Sequence, residues 1–290
     1  LPTEFEPRLI NAPIAALDRI VTTAIEKKVA GVISEIAESE ALPRFRNLKD
    51  EDVQEKAAGE LVTAADIAVE KALSARLLDL LPNSLVVGEE GVHADPTLMG
   101  HLDSEETLWI IDPIDGTRNF ARGREAFAIM VALVSRRESR AAWILEPASG
   151  RFGVAEAGSG AWMDGHRLQA ALPDRPRAMS GSLHASSYAP KELGRRVEKG
   201  RAKVAAIKSL GCAGAEYLRL AEGQTHFSLF TRLMPWDHVP GTLLHQEAGG
   251  LARCFDRQPY RADRYRELGL LMAPDAASWD ALFDVLLAED

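Results

Sequence analysis

Residues 109–120 read Trp109-Ile110-Ile111-Asp112-Pro113-Ile114-Asp115-Gly116-Thr117-Arg118-Asn119-Phe120, and the rest of the chain is read outward from them. Trp109 to Ile111 form a short buried-strand signal. Asp112 and Asp115 follow, with Pro113 between them, and then Gly116 and Thr117, small residues that can open a helix. A strand that ends in acids and turns into a helix start combines two capacities. Carboxylates hold hard divalent cations through oxygen. Unpaired N–H groups at a helix start hold phosphate. Cation beside phosphate points to phosphoryl-group chemistry.

Around this stretch the pattern alternates. Ile14, Leu17, Ile20, Val21, Ile25, Val29, Val32, Ile33 and Ile36 recur at helical spacing and predict one long helix over 13–37. The charged stretch 38–60, broken by Pro43 and Gly59, predicts a mobile loop or short helices. Thr63 can cap a helix that runs to about Leu81 and stops at Pro82. Strands are expected near 84–88 and 108–111. Segments 127–135, 141–147, 151–157 and 161–163 predict an antiparallel meander, with Asp164-Gly165 as a turn. Beyond it, strands near 180–184, 203–208, 226–230, 251–254 and 268–273 alternate with helices near 190–199, 212–222, 237–248 and 276–288. Sheets covered by helices in several layers fit this order. Pro173 and Pro176 mark a soft boundary between an N-terminal half, 1–175, and a C-terminal half, 176–290, expected to form one compact catalytic unit.

The 290 residues are 46% hydrophobic and 27% charged, an ordinary globular composition. A net charge of −9 disfavours binding to a nucleic acid polymer, which calls for a basic patch. Cys212 and Cys254 are far apart and fit neither a disulfide scaffold nor a metal spacing, so a reducing cytoplasm is expected. No apolar run approaches the roughly 20 residues needed to cross a bilayer, and no signal peptide is visible.

Three further segments accompany the opening stretch: Leu61-Val62-Thr63-Ala64-Ala65-Asp66, Gly88-Glu89-Glu90 after the apolar run Leu85-Val86-Val87, and 236–250, which begins Trp236-Asp237-His238 and ends Ala248-Gly249-Gly250. In order and spacing the four resemble the inositol monophosphatase family of magnesium-dependent, lithium-sensitive phosphatases, over about Lys56 to Ala273. The resemblance implies an α+β fold, a layered αβαβα sandwich of the inositol monophosphatase and fructose-1,6-bisphosphatase type. It implies a homodimer that hydrolyses a small phosphate monoester. By resemblance, Glu89, Asp112 and the backbone carbonyl of Ile114 hold one magnesium, and Asp112, Asp115 and Asp237 hold a second. Glu89, with Asp66 acting through water, would help a third. Thr117 and Asp66 would orient the attacking water and take its proton, and the N–H groups of Gly116 and Thr117 would hold phosphate oxygens.

Elementary electrostatics supports the grouping, because clustered carboxylates stay ionised only with cations between them. Oxygen-only ligands select magnesium or manganese over zinc. Asp66, three residues after Thr63, also reads as the acidic member of a capping box. Lys56 reads equally as a site lysine or as a solvated loop charge. Glu90 and Glu247 read as structural or surface residues, and His238 and His245 as helix-face packing or surface residues rather than ligands. No Gly-x-Ser-x-Gly elbow supports a covalent serine mechanism.

One part of the chain departs from the inositol-specific pattern. Those enzymes carry a glutamate seven residues before the aspartate of Trp-Asp, and that position is Phe230 here. The family's Gly-Ser-Ala or Gly-Thr-Ala segment is Gly211-Cys212-Ala213, a thiol in place of a hydroxyl. Lys208, Cys212, Ala213, Phe230 and Arg232 are therefore the substrate-selecting candidates. They point away from myo-inositol phosphate. A second anionic group could meet Lys208, Arg232 or Arg118, although each also reads as a surface charge. Fructose 1,6-bisphosphate, adenosine 3′,5′-bisphosphate and histidinol phosphate are the alternative substrates. A non-catalytic regulatory protein is the rival reading, and the presence of every acid the site needs stands against it.

Overall fold

The computed structural model describes residues 14–57, 60–185 and 189–287. The expected long helix is α1, Ile14–Ile36, with Val29, Val32, Ile33 and Ile36 buried. Ile14, Leu17, Ile20 and Val21 of its apolar face lie outside the residues whose side chains are described. The loop or short helices expected over 38–60 need correcting. The chain forms a π-helical turn at Ala37–Ala41, a 3-10 turn at Asp50–Asp52, and strand β1, Val53–Ala57, paired antiparallel with β2, Glu60–Thr63. Gln54-Glu55-Lys56 lacks an apolar alternation, so periodicity could not report this strand.

Next come α2 (Ala64–Leu80), β3 (Leu85–Gly88), α3 (Glu89–Ala94), β4 (Thr107–Asp115) and α4 (Thr117–Ala121). The meander follows as β5 (Ala128–Ser135), β6 (Glu138–Glu146), β7 (Arg151–Glu156), β8 (Gly160–Met163) and β9 (His166–Arg167). The remainder is β10 (Ser180–His184), α5 (Lys191–Gly200), β11 (Ala206–Ile207), α6 (Ala213–Ala221), β12 (Phe227–Phe230), α7 (Pro235–Glu247), β13 (Leu251–Cys254), β14 (Leu270–Ala273) and α8 (Ala276–Leu287). The last position of the helix expected over 276–288 falls outside the described residues.

Two sheets organise the chain. One runs β3-β4-β5-β6-β7-β8-β9, parallel only between β3 and β4. The other runs β11-β10-β12-β14-β13, with β10 parallel to both of its neighbours. Three apolar cores glue the layers. Helices α1 and α2 bury Val29, Ile33, Leu73 and Leu77 against Trp109, Ile111 and Trp143 of the first sheet. Helices α6 and α7 lie between the sheets and pack Tyr217, Leu218 and Leu244 on Met130, Ile144 and Met272. Helices α5 and α8 close the far face of the second sheet with Leu193, Val197, Trp279 and Leu282. The result is the layered αβαβα sandwich. Its middle core draws residues from both sides of the soft boundary near 175. Close approach within that core requires a glycine at 241, where a Cβ would fall inside the Tyr217 ring. No helix among the described residues is long and apolar enough to cross a membrane.

His245 is 1% exposed, its Nε2 donates to Ala273 O at 3.0 Å, and burial pushes its pKa down to about 4. A histidine kept neutral in the fold but charging at its ordinary value when unfolded makes the unfolded chain bind more protons between the two values. Stability from this group is thus present above about 6.5 and is lost as pH falls toward 4. His245→Leu is expected to flatten this limb: from pH 7 to pH 5 the parent should lose about 2 kcal/mol more than the variant. Urea unfolding at the two pH values measures it, and equal losses would refute the assignment.

Candidate active site

The acids meet where four elements end. Parallel pairing sets Gly88 opposite Ile111, so Glu89 and Asp112 leave the same edge of the first sheet. After Asp112 the β4–β5 register slips, and this bulge carries the chain through Pro113 and Ile114 to Asp115. Gly116 then takes a left-handed backbone, φ 83°, as N-cap of α4. A Cβ there would press on Ala126 O at 3.0 Å, Cys212 Cβ at 3.1 Å and Gly211 O at 3.2 Å, so only glycine makes this turn without strain. Asp66 comes from the first turn of α2, and Asp237 from the first turn of α7.

Asp112 is 1% exposed, and its Oδ1 has no hydrogen-bond partner among the described residues. Burial first, then the charges of Glu89, Asp115, Asp237 and Asp66, holds its carboxyl well above the usual range. Asp237 is pushed up by burial and by Asp115 and Glu89, against a hydrogen bond with Asp112 that lowers it. Burial raises Asp115, against hydrogen bonds donated by Cys212 Sγ at 3.0 Å and Gly214 N at 2.6 Å. Glu89 is raised by burial and restrained by Lys56. Asp66 is pushed up to about 7 by burial, despite bonds from Thr63 N at 2.8 Å and Thr63 Oγ1 at 2.5 Å.

These carboxyls lie within range of one another and can ionise together only beside a cation. Among the described residues no group of three or more histidine, cysteine, aspartate or glutamate side chains is placed so that it could hold a metal ion. The donor chemistry nevertheless fits a hard divalent cation, because the buried Asp112 Oδ1 is unpaired and every candidate donor is oxygen. Softer ligands are committed elsewhere. The Cys212 thiol is held protonated by burial and by Asp115. His238 is tied to Arg232 O and Tyr217 Oη, each at 2.9 Å.

Thr117 Oγ1 lies 2.9 Å from Ile114 O and 3.1 Å from Asp66 Oδ1. Asp66 therefore closes the capping box through Oδ2 and faces Thr117 through Oδ1. Glu89, Gly116, Thr117, Arg118, Arg232 and Asp237 line a groove of about 830 Å³. A recess of about 340 Å³ adjoins it, lined by Asp115, His184, Cys212, Ala213, Phe230 and Arg232 among others. Lys208 is exposed and lines neither, lying instead by a small hollow with Glu216 and Arg219. Lys56 is a buried cation paired with Glu89 at 3.0 Å and with Glu90. Glu247 receives Gly158 N at 2.7 Å and Gly160 N at 2.9 Å, a structural anchor for the β7–β8 turn.

Sequence reasoning missed four supporting residues. Glu70 accepts from Glu90 N at 2.8 Å and Gly91 N at 2.6 Å, fixing the start of α3. Asn119 Nδ2 bridges Ala126 O and Leu210 O at 2.8 and 2.9 Å, joining the α4 turn to the Gly211 loop. His184 and Glu216 pair at 2.6 Å beside the recess. Their only sequence signal is burial of a polar residue on a helix or at a strand end, which one chain alone does not flag.

The inositol monophosphatase family profile matches residues 17–283. The fructose-1,6-bisphosphatase/inositol-1-monophosphatase of Thermotoga maritima is 30% identical over 206 residues, covering 70% of this chain and 76% of that protein. Nus factor SuhB of Pseudomonas aeruginosa is 29% identical over 253 residues, covering 83% and 89%. The crystal structure of extragenic suppressor protein suhB from Bartonella henselae superposes with a TM-score of 0.76 at 22% identity, covering 92% and 99%. The chain belongs to the inositol monophosphatase family.

Proposed function

We propose that this protein is a magnesium-dependent phosphomonoesterase that hydrolyses a small phosphate ester with water as the nucleophile. The observation that carries the reading is the unpaired, buried Asp112 Oδ1 amid mutually repelling acids, beside the Thr117–Asp66 contact. Glu89, Asp112, the Ile114 carbonyl, Asp115 and Asp237 would hold the two or three magnesium ions. Bound there, the ions would neutralise charge on the phosphoryl and leaving oxygens. The chain's own residues do the rest. Thr117 Oγ1 and Asp66 Oδ1 orient the attacking water, and Asp66 takes its proton. The N–H groups of Gly116 and Thr117 face the phosphate oxygens. Lys56 keeps Glu89 and Glu90 together without a net pair of negative charges. The resemblance also supports a homodimer, which light scattering tests, and the two widely separated cysteines fit a reducing cytoplasm.

The test is phosphate release from inositol 1-phosphate, fructose 1,6-bisphosphate, adenosine 3′,5′-bisphosphate and histidinol phosphate, with magnesium and with EDTA. Release that EDTA abolishes supports the reading. Magnesium at about 100 times its Kd should add roughly 2.7 kcal/mol of stability, a melting shift of about 5 °C. One relative bears the name Nus factor, which favours a second, regulatory reading. A folded protein that shows the melting shift but hydrolyses none of the esters would move the assignment there.

A further inference from the structure

The groove over the acids carries positive charge that the hydrolytic chemistry does not use. Five lysine and arginine side chains line it: Lys56, Arg118, Arg122, Arg124 and Arg232. Three of them are committed within the fold. Lys56 pairs with Glu89 and Glu90, Arg232 pairs with Glu60, and Arg118 has a partner of its own. Arg122 and Arg124 are exposed, and among the described residues neither guanidinium has an ion pair. Glu125, the acid beside them in sequence, is taken by Arg46 at 3.0 Å. The acids that line the same groove, Glu60, Glu89 and Asp237, are turned to Arg232, Lys56 and Asp112. The turn that presents the two arginines is held on both sides. Asn119 O accepts from Arg122 N at 3.1 Å and from Arg124 N at 2.9 Å. Arg46 Nε donates to Gly123 O at 3.0 Å. Two unopposed cations therefore leave a fixed backbone and face the groove.

We infer that Arg122 and Arg124 form a subsite for a second phosphate group on the substrate, so that the preferred ester is a small bisphosphate. This rests on the phosphomonoesterase reading. Position supports it first. Thr117, whose N–H would face the phosphate being cleaved, opens α4, and Arg122 caps the other end of that helix. Five residues of helix span about 7.5 Å, a distance that one sugar ring bridges. Size agrees, because a groove of about 830 Å³ suits a whole small molecule and exceeds what one phosphoryl group fills. Charge decides the class. Two guanidinium charges match a phosphate dianion, and each planar fork donates to two of its oxygens. The cations that would hold the first phosphate compensate the acids at the inner end, so those acids do not repel the second. Lys208 lies at another hollow and Arg232 is ion-paired, which leaves the second anion to the α4 turn. Sugar bisphosphates and nucleoside bisphosphates share this chemistry.

The experiment compares kcat and KM, with magnesium, in two pairs of esters. One pair is fructose 1,6-bisphosphate and fructose 1-phosphate; the other is adenosine 3′,5′-bisphosphate and adenosine 3′-phosphate. Members of a pair differ only in the second phosphate. In at least one pair the parent protein should favour the bisphosphate by at least about tenfold in kcat/KM, through KM. The pair that shows this tells the sugar from the nucleoside. Arg122→Gln combined with Arg124→Gln should bring the ratio near one, the loss lying in KM for the bisphosphate. Arg122→Lys with Arg124→Lys, which keeps the charges but not the forks, should retain part of it. Arg175→Gln, which removes an exposed charge outside the groove, should leave the ratio unchanged. Melting curves identify any variant that fails to fold, and the single variants then decide. Equal kcat/KM within both pairs in the parent overturns the inference, as does an unchanged ratio in the folded double variant. So does an equal fall on both members of a pair, and so does a matching fall in Arg175→Gln. Each of these leaves the phosphomonoesterase reading standing. Turnover of none of the four esters overturns that reading and this inference with it.

Discussion

Asp112→Asn is expected to lower magnesium-dependent phosphate release by at least about 10³-fold, some 4 kcal/mol of transition-state stabilisation. The substitution keeps the size and shape of the side chain but removes the charge that two cations would share. Asp112 is 1% exposed, and four neighbouring carboxylates push its proton affinity upward. In the absence of magnesium the variant should melt at or above the parent's temperature, because a buried carboxyl whose ionisation burial and four neighbouring acids oppose has been replaced by a neutral amide. Added magnesium should then give less of the melting shift seen in the parent. Calorimetry with and without magnesium, alongside the release assay, separates these effects. Near-normal turnover would sink the assignment of Asp112 as the shared ligand.

The second large effect is expected at Thr117. Thr117→Val, which keeps a β-branched side chain at the first turn of α4, should lower kcat by about 10²–10⁴-fold with little change in KM. Thr117→Ser, which keeps the hydroxyl, should retain most of the rate. The contact at stake is the 3.1 Å approach of Thr117 Oγ1 to Asp66 Oδ1. Asp66 must be ionised to receive a proton, and without cations its pKa stands at about 7. Bound cations lower it, so the magnesium-loaded rate should rise with pH and level off below that value. Asp66→Asn should resemble Thr117→Val, and the double variant should lose scarcely more than either, because the two residues act on one water. A Thr117→Val rate within threefold of the parent would remove Thr117 from the mechanism.

Much of this site was legible because its signals are local. Glu89, Asp112 and Asp237 sit just beyond apolar strands or in a helix's first turn, where a short sequence window reports both the element and the exposed end. Asp66 carried two readings, a cap and a site acid; its Oδ2 closes the capping box and its Oδ1 faces Thr117. Lys56 was ambiguous because β1 has no apolar alternation. Pairing with β2 forms that strand, and the pairing turns a loop charge into a buried partner of Glu89. Lys208 read as a substrate contact by its closeness to Gly211 in sequence, yet its side chain lies at another hollow.

The sequence by itself determined the order of elements, the meander, the long capped helices and the acids at the strand and helix ends. Each depends on periodicity or on neighbours a few residues apart. Tertiary structure alone decided which polar groups face each other across the layers. Glu216 meets His184 across 32 residues, and Arg232 meets Glu60 across 172. Such contacts follow from which strands pair and in what register, a property of the whole sheet. A single chain's local pattern constrains that register only through its apolar face, so the polar side chains that meet at the sheet's end become visible only after folding.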